Sequence, residues 1–447
     1  MKTQRYLLML PLFVTMLIPI STLGQSANSG KDFWLAFPQN ARFERFAGER
    51  FRVFISGTEG TNGRIKEYAT GTQTEFTIPA SGIAEISIDT SAELTSQGVH
   101  KASAHVTASA PVSIVAVSYR PASMDSYCAI PTPQLGHDYA VIGYDSIPGL
   151  DHYHTQCDVI AAEDGTSITL QYPSSVHDAH LIRSSTLERG EVLHLGGDEV
   201  HADITGTMIH SNKPVAVITG HTCAQVPSDV YYCDLLMEMI PSSDKLGQTF
   251  AIAPFKWQVA SSIRVVAMED NTIVKLGGNV VATLTRGSYY QNDAIRQATM
   301  LETSHSTYAM QYMHGSDEAQ DSYAAADPSM LSLIPIERMP TVITSAIPAI
   351  HPGGGTVAPD DQNASWQDLV NIVTRSEDLL TLKLNGHSVD ASSVVPIAGS
   401  DLVVVTIPVR PGKIELSGAP FAAYSYGVGR KENAYESYAM TLGMNLE

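Results

Sequence analysis

A short turn motif with an acidic residue recurs along the chain at a nearly constant spacing. The acids are Glu59, Asp164, Asp270 and Asp378, about 105 residues apart, and each lies between runs rich in Val, Ile and Thr. Asp-Gly and Asp-Asn pairs accept the positive φ angles of tight turns, so we interpret each motif as a β-hairpin with a structural acid. The period is too long for a solenoid and close to the size of one β-sandwich domain.

The segments between these turns have the two-residue periodicity of strands. Ile83–Ile88, Ala104–Thr107 and Val112–Tyr119 are examples, and Pro111 and Pro214 stand at the predicted starts of two strands. The sequence therefore predicts an all-β fold of about four successive β-sandwich-like repeat units. A β-propeller-like array is the alternative.

The predicted division of the chain follows these units. Residues 1–24 are a signal peptide, 25–157 the first β unit, 158–258 the second, 259–347 the third, 348–370 a linker rich in Gly, Pro and Asp, and 371–447 the fourth. Within the third unit, Asp293–Glu302 is predicted as a short helix.

The first residues have the design of a secretory signal. Lys2 and Arg5 precede the apolar run Leu7–Ile20, and Thr22-Leu23-Gly24 offers small residues at a cleavage point. No later apolar run reaches the roughly 18 residues of a spanning helix, so we expect no membrane span in the mature chain. The expected location is secreted, cell-surface or periplasmic.

The formal net charge is -19. A chain this acidic repels nucleic acid and anionic membrane surfaces, so we expect neither as a partner.

The four cysteines fit an oxidising compartment. Cys223 and Cys233 flank a short loop that contains Pro227, and we pair them. By elimination Cys128 pairs with Cys157, with two free core cysteines as the alternative. A zinc site is disfavoured because the chain has no CxxC spacing.

The segment Gly220–Pro227, GHTCAQVP, is the most specific pattern in the chain. The other segments that matter here are Gly30–Phe33, Pro111-Val112, Tyr119, Ile130–Thr132, Leu135-Gly136, Tyr139, Ala161–Thr166, Cys233-Asp234 and Ile240-Pro241. Together they resemble the IgG Fc-binding protein N-terminal domain family, over nearly all of the mature chain to about Met339. The resemblance implies an extracellular binding or adhesive module rather than an enzyme, in the stand-alone form found in exported bacterial proteins. Antibody binding belongs to the animal member and does not transfer with the family name.

The loop between Cys223 and Cys233 is the predicted contact surface, because a disulfide preorganises a loop for binding. The candidate ligand-binding residues are His221, Gln225, Asp229, Tyr231 and Tyr232. Tyrosine provides amphipathic contact area at a small cost in conformational entropy.

Other candidate chemistry is weaker. Asp151, His152 and His154 have donor atoms that suit a transition metal, but we interpret the segment as a polar surface strand or loop. Asp360–Asn363 could supply oxygen ligands to Ca²⁺, and no other cofactor is predicted. The sequence has no GxSxG or HExxH motif, so no catalytic residue is predicted.

The sequence favours an exported, non-catalytic binding or adhesion module that recognises an extracellular protein, glycoprotein or glycan. One alternative is a structural component of a surface layer or filament. The other is a glycan-active hydrolase, which needs two carboxylates about 5–10 Å apart in a cleft.

Overall fold

The computed structural model describes residues 26–41, 48, 50–145, 153–177, 181–196, 203–230, 232–315, 327–349, 366–429 and 436–446. This part of the chain contains 33 strands, five short 3₁₀ turns and no α-helix. The predicted all-β fold is confirmed. The predicted helix at Asp293–Glu302 is wrong, because Asp293 lies in one strand and Thr299–Glu302 begin the next. The predicted signal peptide lies outside the described residues.

Ten strands precede residue 129. They are β1 (Gly30–Leu35), β2 (Phe37–Pro38), β3 (Arg50–Ser56), β4 (Asn62–Glu67), β5 (Gln73–Thr77), β6 (Ile83–Ile88), β7 (Glu93–Leu94), β8 (Gly98–His100), β9 (Ala104–Arg120) and β10 (Ser123–Cys128). Seven of them form the first sheet, in the order β5-β4-β9-β3-β6, with β1 and β10 also paired to β9. β2 pairs with β7 in parallel.

The next fourteen strands form two more sheets. They are β11 (Gly136–Ala140), β12 (Thr155–Ala161), β13 (Thr166–Gln171), β14 (Ser184–Leu187), β15 (Val192–Leu195), β16 (Met208–Gln225), β17 (Cys233–Ile240), β18 (Gly247–Ile252), β19 (Ser261–Ala267), β20 (Thr272–Leu276), β21 (Asn279–Leu284), β22 (Tyr289–Ile295), β23 (Thr299–Met313) and β24 (Ser329–Ser332). The second sheet has the order β14-β13-β16-β12-β15-β8, and the third has the order β21-β20-β23-β19-β22. In addition, β11 and β17 pair with β16, and β18 and β24 pair with β23. Both repeat the strand order of the first sheet.

The last nine strands divide between two smaller sheets. They are β25 (Val342–Ile347), β26 (Trp366–Arg375), β27 (Lys383–Leu384), β28 (His387–Ser388), β29 (Val394–Pro396), β30 (Leu402–Val409), β31 (Gly412–Ser417), β32 (Phe421–Gly429) and β33 (Ser437–Thr441). Their orders are β25-β31-β27-β28 and β29-β30-β26-β32-β33. The count of four sandwich units therefore stays a prediction.

Each of the first three sheets is built around one long strand, β9, β16 or β23, whose two edges bind different partners. β3 pairs with the C-terminal half of β9, and β4 pairs with its N-terminal half on the other edge. β3 and β4 therefore do not pair with each other, nor do β12 with β13 or β19 with β20. The predicted hairpins are wrong, because the strands before and after each acidic turn do not pair with each other.

Asp164 and Asp270 hold two of these acidic turns in the same way. Oδ1 of Asp164 accepts a hydrogen bond of 2.9 Å from the backbone amide of Arg189, and Oδ1 of Asp270 accepts one of 2.9 Å from the amide of Arg286. Gly165, after the first acid, has a φ of 63°, a conformation that favours glycine. The structural role predicted for these acids is confirmed.

Three 3₁₀ turns link one sheet to the next. They cover Thr132–Gln134, Ser243–Lys245 and Ile336–Arg338, and each follows the last strand of a sheet. The predicted boundary between residues 157 and 158 falls inside β12, whereas pairing changes from the first to the second sheet between β10 and β11. The end of the predicted linker, Trp366–Val370, is part of β26. The division into domains stays a prediction.

β10, β17, β24 and β33 come from different parts of the chain and meet in the interior. Asp125 of β10 joins all four. Its Oδ2 accepts hydrogen bonds from the amides of Met237 at 3.0 Å and Met330 at 3.4 Å, and its Oδ1 accepts one from the amide of Ala439 at 3.2 Å. One carboxyl group therefore connects strands from every region of the fold.

Four more carboxyl groups lie buried around Asp125. We call the set the central carboxyl cluster, which comprises Asp125, Asp234, Glu238, Asp327 and Glu436. Burial raises the pKa of every member, and neighbouring carboxyls raise the pKa of Asp234, Glu238 and Asp327 further. Among the ion pairs of the described residues, none includes a member of the cluster. Burial therefore favours the protonated, uncharged form of these carboxyls, whereas the amide hydrogen bonds to Asp125 favour its ionised form.

Candidate functional site

A disulfide closes the hairpin between β16 and β17. Cys223 and Cys233 are bonded, with their Cα atoms 5.1 Å apart, so the predicted pair is confirmed. The pairing of the two strands shifts register between His221 and Ala224. This bulge adds a residue on the β16 side and turns the end of the strand toward the disulfide. The hairpin tip comprises the described residues 226–230 and 232.

The predicted contact residues occupy different depths around this tip. Asp229 is exposed at the tip, Gln225 and Tyr232 are half-buried, and Tyr231 lies outside the described residues. His221 is fully buried, and its Nδ1 accepts a hydrogen bond of 3.1 Å from the Cys223 amide. It supports the hairpin from the inside. A ligand contact by the other residues stays a prediction.

Burial determines the charge of His221. Desolvation, assisted by the neighbouring His154, lowers the pKa of His221 to about 3, so the ring is neutral at physiological pH. His154 is buried as well.

Cys128 and Cys157 are both free and buried, so their predicted pairing is wrong. Cys128 ends β10 and packs in an apolar cluster with Ile343 and Met440, whereas Cys157 in β12 belongs to a different cluster. Burial raises the pKa of the Cys128 thiol to about 12 and also raises the pKa of Cys157. Both thiols are therefore inert core groups.

The hairpin tip packs against the third sheet. The Gly315 amide donates a hydrogen bond of 2.8 Å to the carbonyl of Val226. The preceding residue, His314, has its Nε2 3.0 Å from the hydroxyl oxygen of Ser262. Burial lowers the pKa of His314 to about 4, while the charges of Asp293 and Asp229 act in the opposite direction. The exposed acid of the tip is thus close enough to influence a histidine of the next sheet.

A buried arginine lies farther along the same junction. The side chain of Arg264 in β19 is completely inaccessible to solvent. Its Nη1 donates to Asp203 at 2.8 Å and to Thr205 at 3.1 Å, and its Nη2 donates to Asp145. Its Nε donates to Gln291 at 2.7 Å. An arginine of the third sheet is therefore held by two carboxylates from connections of the second.

The pKa values of Asp145 and Asp203 are shifted in opposite directions. Burial raises the pKa of Asp145, which is 38% exposed. For Asp203, burial acts to raise the pKa, but Arg264 and Thr205 outweigh it and the pKa is lowered. Opposite shifts are typical of an acid–base pair, but here both groups are bound to one guanidinium, which makes the arrangement suited to joining sheets. The ring of Tyr289 covers the guanidinium at 4.4 Å and is partly exposed.

Tyr144 and Asp293 extend this network toward the hairpin. The Tyr144 hydroxyl donates to Asp293 at 2.9 Å, and Nε2 of Gln291 donates to both Asp293 oxygens, at 3.1 and 3.0 Å. Gln291 also accepts from Arg264. We define the junction site as the hairpin tip with His314, Asp293, Asp145, Tyr289 and Arg264. Its surface combines partly exposed acids with an aromatic ring.

The cysteine spacing predicted the disulfide-closed loop, but no sequence pattern predicted the Arg264 network. An arginine within the apolar strand Ser261–Ala267 was the available signal, because a buried charge requires partners. The sequence did not show which carboxyls those partners are, since Asp145 and Asp203 are far away along the chain.

The described part of the chain holds no group of three His, Cys, Asp or Glu side chains arranged for a metal. Of the earlier metal candidates, Asp151, His152 and Asp360–Asn363 lie outside the described residues. No described helix has the length and apolar character needed to cross a bilayer.

Comparison with protein families gives a match over most of the chain. A family model described as "IgGFc binding protein" matches residues 125–427, a range that contains the junction site. No curated protein matches. A solved structure described as "Ca2+-stabilized adhesin helps an Antarctic bacterium reach out and bind ice" aligns at 13% identity, over 93% of this chain and 99% of that chain. Its TM-score of 0.13 is too low to support any argument.

Proposed function

The chain belongs to the IgGFc-binding protein family, and from this premise we propose that it is an exported module that binds an extracellular protein, glycoprotein or glycan. The observation that carries the proposal is the family match over residues 125–427. The family is of a binding type and extracellular, and a disulfide fits that environment.

We propose the junction site as the contact surface. Asp229 projects at a tip that is fixed by the disulfide and by the Val226–Gly315 hydrogen bond. A tip held in one conformation loses little entropy on binding. The exposed fractions of Asp145 and Tyr289 add an acid and an aromatic ring on the same junction.

The test is a binding array of extracellular proteins, glycoproteins and glycans that includes IgG Fc. We expect Cys223→Ser plus Cys233→Ser to weaken binding of an array ligand by roughly tenfold, because the tip loses its preorganisation. The same variant loses about 2–3 kcal/mol of stability in the chain-entropy account of disulfides, so binding is measured well below its unfolding transition.

Cys128→Ala is the matched control, since it removes a buried cysteine without opening the hairpin. Equal affinity of the double variant and the wild type would exclude the tip as contact surface. A wild-type chain that binds nothing on a broad array would contradict the proposed function itself.

A further inference from the structure

Four strands occupy equivalent positions, one in each of the first three sheets and one in the sheet built on β26. β6, β15, β22 and β30 pair with β3, β12, β19 and β26, respectively. Each is preceded by a glycine whose φ lies between 78° and 82°, and these glycines are Gly82, Gly190, Gly287 and Gly399. The shared pairing and turn geometry identify these four edges as counterparts of each other.

Two of these edges carry an added strand. β8, which comes from the first ten strands, pairs antiparallel with β15 of the second sheet through His100–Val192, Val99–Leu193 and Gly98–His194. β29 pairs with β30 in the same antiparallel sense. The molecule therefore already completes this edge by strand addition, once with a strand from the segment that precedes β9.

The corresponding edge of the first sheet is open. Among the described residues no strand pairs with the outer side of β6. An open groove of about 520 Å³ lies there instead, between β5 and β6. The buried side chains of Phe76 and Ile86 line it, and the side chains of Glu75 and Glu85 are exposed beside them.

The backbone of β6 offers hydrogen-bonding groups to this groove. Gly57 donates to the carbonyl of Gly82, so Gly82 faces β3. In an antiparallel pair, alternate residues face the partner strand, which directs the amides and carbonyls of Glu85 and Ser87 outward. An unpaired edge of this kind is a template for another strand.

We propose that the groove between β5 and β6 binds an extended, cationic segment of a partner protein, which adds to β6 as an antiparallel strand. The internal precedent is β8, which is extended and is followed directly by Lys101. Glu85 is paired with Arg52, whereas Glu75 remains an exposed acid beside the groove. This acid and the net charge of -19 favour a cationic partner over a second copy of this acidic chain. The inference rests on the proposed binding function and gives the partner's backbone a defined place.

The test uses a synthetic peptide of residues 96–103, SQGVHKAS, labelled with fluorescein and blocked at both ends, against the full mature chain. Fluorescence anisotropy is expected to show saturable binding. Ser87→Pro is expected to weaken binding by roughly tenfold, since it removes an outward amide that β3 does not use, whereas Ser87→Ala leaves affinity unchanged.

Hydrogen exchange of the wild-type chain provides a second readout that does not depend on the folding of Ser87→Pro. Peptide addition is expected to slow exchange of the Glu85 and Ser87 amides. Absence of saturable binding, or equal binding by Ser87→Pro, or unchanged exchange at these amides, would each overturn strand addition. A wild-type dimer that Ser87→Pro converts to a monomer would place a second copy on β6 and overturn the choice of partner.

The two proposals fail separately. An array ligand that is bound while the peptide is not would leave the binding function standing and remove the edge as its site. A peptide that binds β6 while no array ligand is found would support the edge as a strand-binding site and contradict the proposed function alone.

Discussion

Arg264 retains its charge in the interior because Asp145, Asp203 and Gln291 accept hydrogen bonds from its guanidinium group. Removing one partner of a buried ion pair leaves the other charge without compensation, which costs more than the pair contributes. We expect Arg264→Met to lower the free energy of unfolding by about 3–5 kcal/mol, measured by chemical denaturation. Arg264→Lys is expected to be intermediate, because an ammonium cannot reproduce the planar fork that reaches all three partners.

Arg375→Met is the matched control. Arg375 forms an ion pair with Asp401 in which the two side chains are 49% and 56% exposed, so its loss should cost less than about 1 kcal/mol. Equal effects of Arg264→Met and Arg375→Met would show that the buried network does not hold the second and third sheets together.

At the scale of strands, Gly220 explains part of the most specific sequence pattern. A Cβ atom on Gly220 would lie 1.7 Å from the carbonyl oxygen of Leu236 in β17. Because that atom belongs to backbone, the strand itself must move. We expect Gly220→Ala to destabilise the protein by at least about 1–3 kcal/mol in chemical denaturation.

Gly278→Ala separates this close approach from backbone strain. Gly278 has a φ of 80°, but an added Cβ meets nothing within 4 Å. Its substitution should cost about 1 kcal/mol through strain alone. A Gly220→Ala variant no less stable than Gly278→Ala would contradict the close packing of β16 on β17.

The long strands show which elements could be predicted and which could not. Composition and periodicity predicted strand at Ala104–Thr107 and Val112–Tyr119, and these belong to one strand, β9. Pro111 is tolerated inside it because β4 pairs only up to Ala108 and β3 only from Ser113, so no partner there needs its missing amide. Local pattern identifies strands, but which edge of a long strand each neighbour occupies depends on contacts distant in sequence.

The same limit applies to the junction site. The disulfide was predictable because its two cysteines flank a short loop. Cys128 and Cys157 were paired by elimination, and only the packing of their side chains into separate apolar clusters shows that they are apart.

For the whole molecule, the central carboxyl cluster predicts the direction of pH dependence. Its carboxyls have raised pKa values in the folded state, so their contribution to stability is complete below the unfolded value of about 4 and is lost as pH rises through the folded values. His221 and His314, with lowered pKa values, contribute an opposite dependence only below about pH 6.5. Burial also raises the pKa of Asp368 to about 7, so we expect the free energy of unfolding to decrease as pH rises through about 7, measured by denaturant titration.

Asp327→Asn should reduce this decrease by up to about 1.4 kcal/mol per pH unit, because one buried carboxyl no longer titrates. Glu59→Gln, at an exposed turn, is the control and should leave the slope unchanged. A wild-type chain whose stability rises over this pH interval would contradict protonated carboxyls at the centre.

The bond between Asp125 and the Ala439 amide spans 314 residues. At roughly 5–20 residues per second, a ribosome adds Ala439 about 15–60 s after Asp125. Throughout that interval β10 exists without the last of the strands that the Asp125 carboxyl group will contact. During this time the nascent polypeptide must remain hydrated or bound to a chaperone. Its final compaction therefore follows synthesis instead of accompanying it.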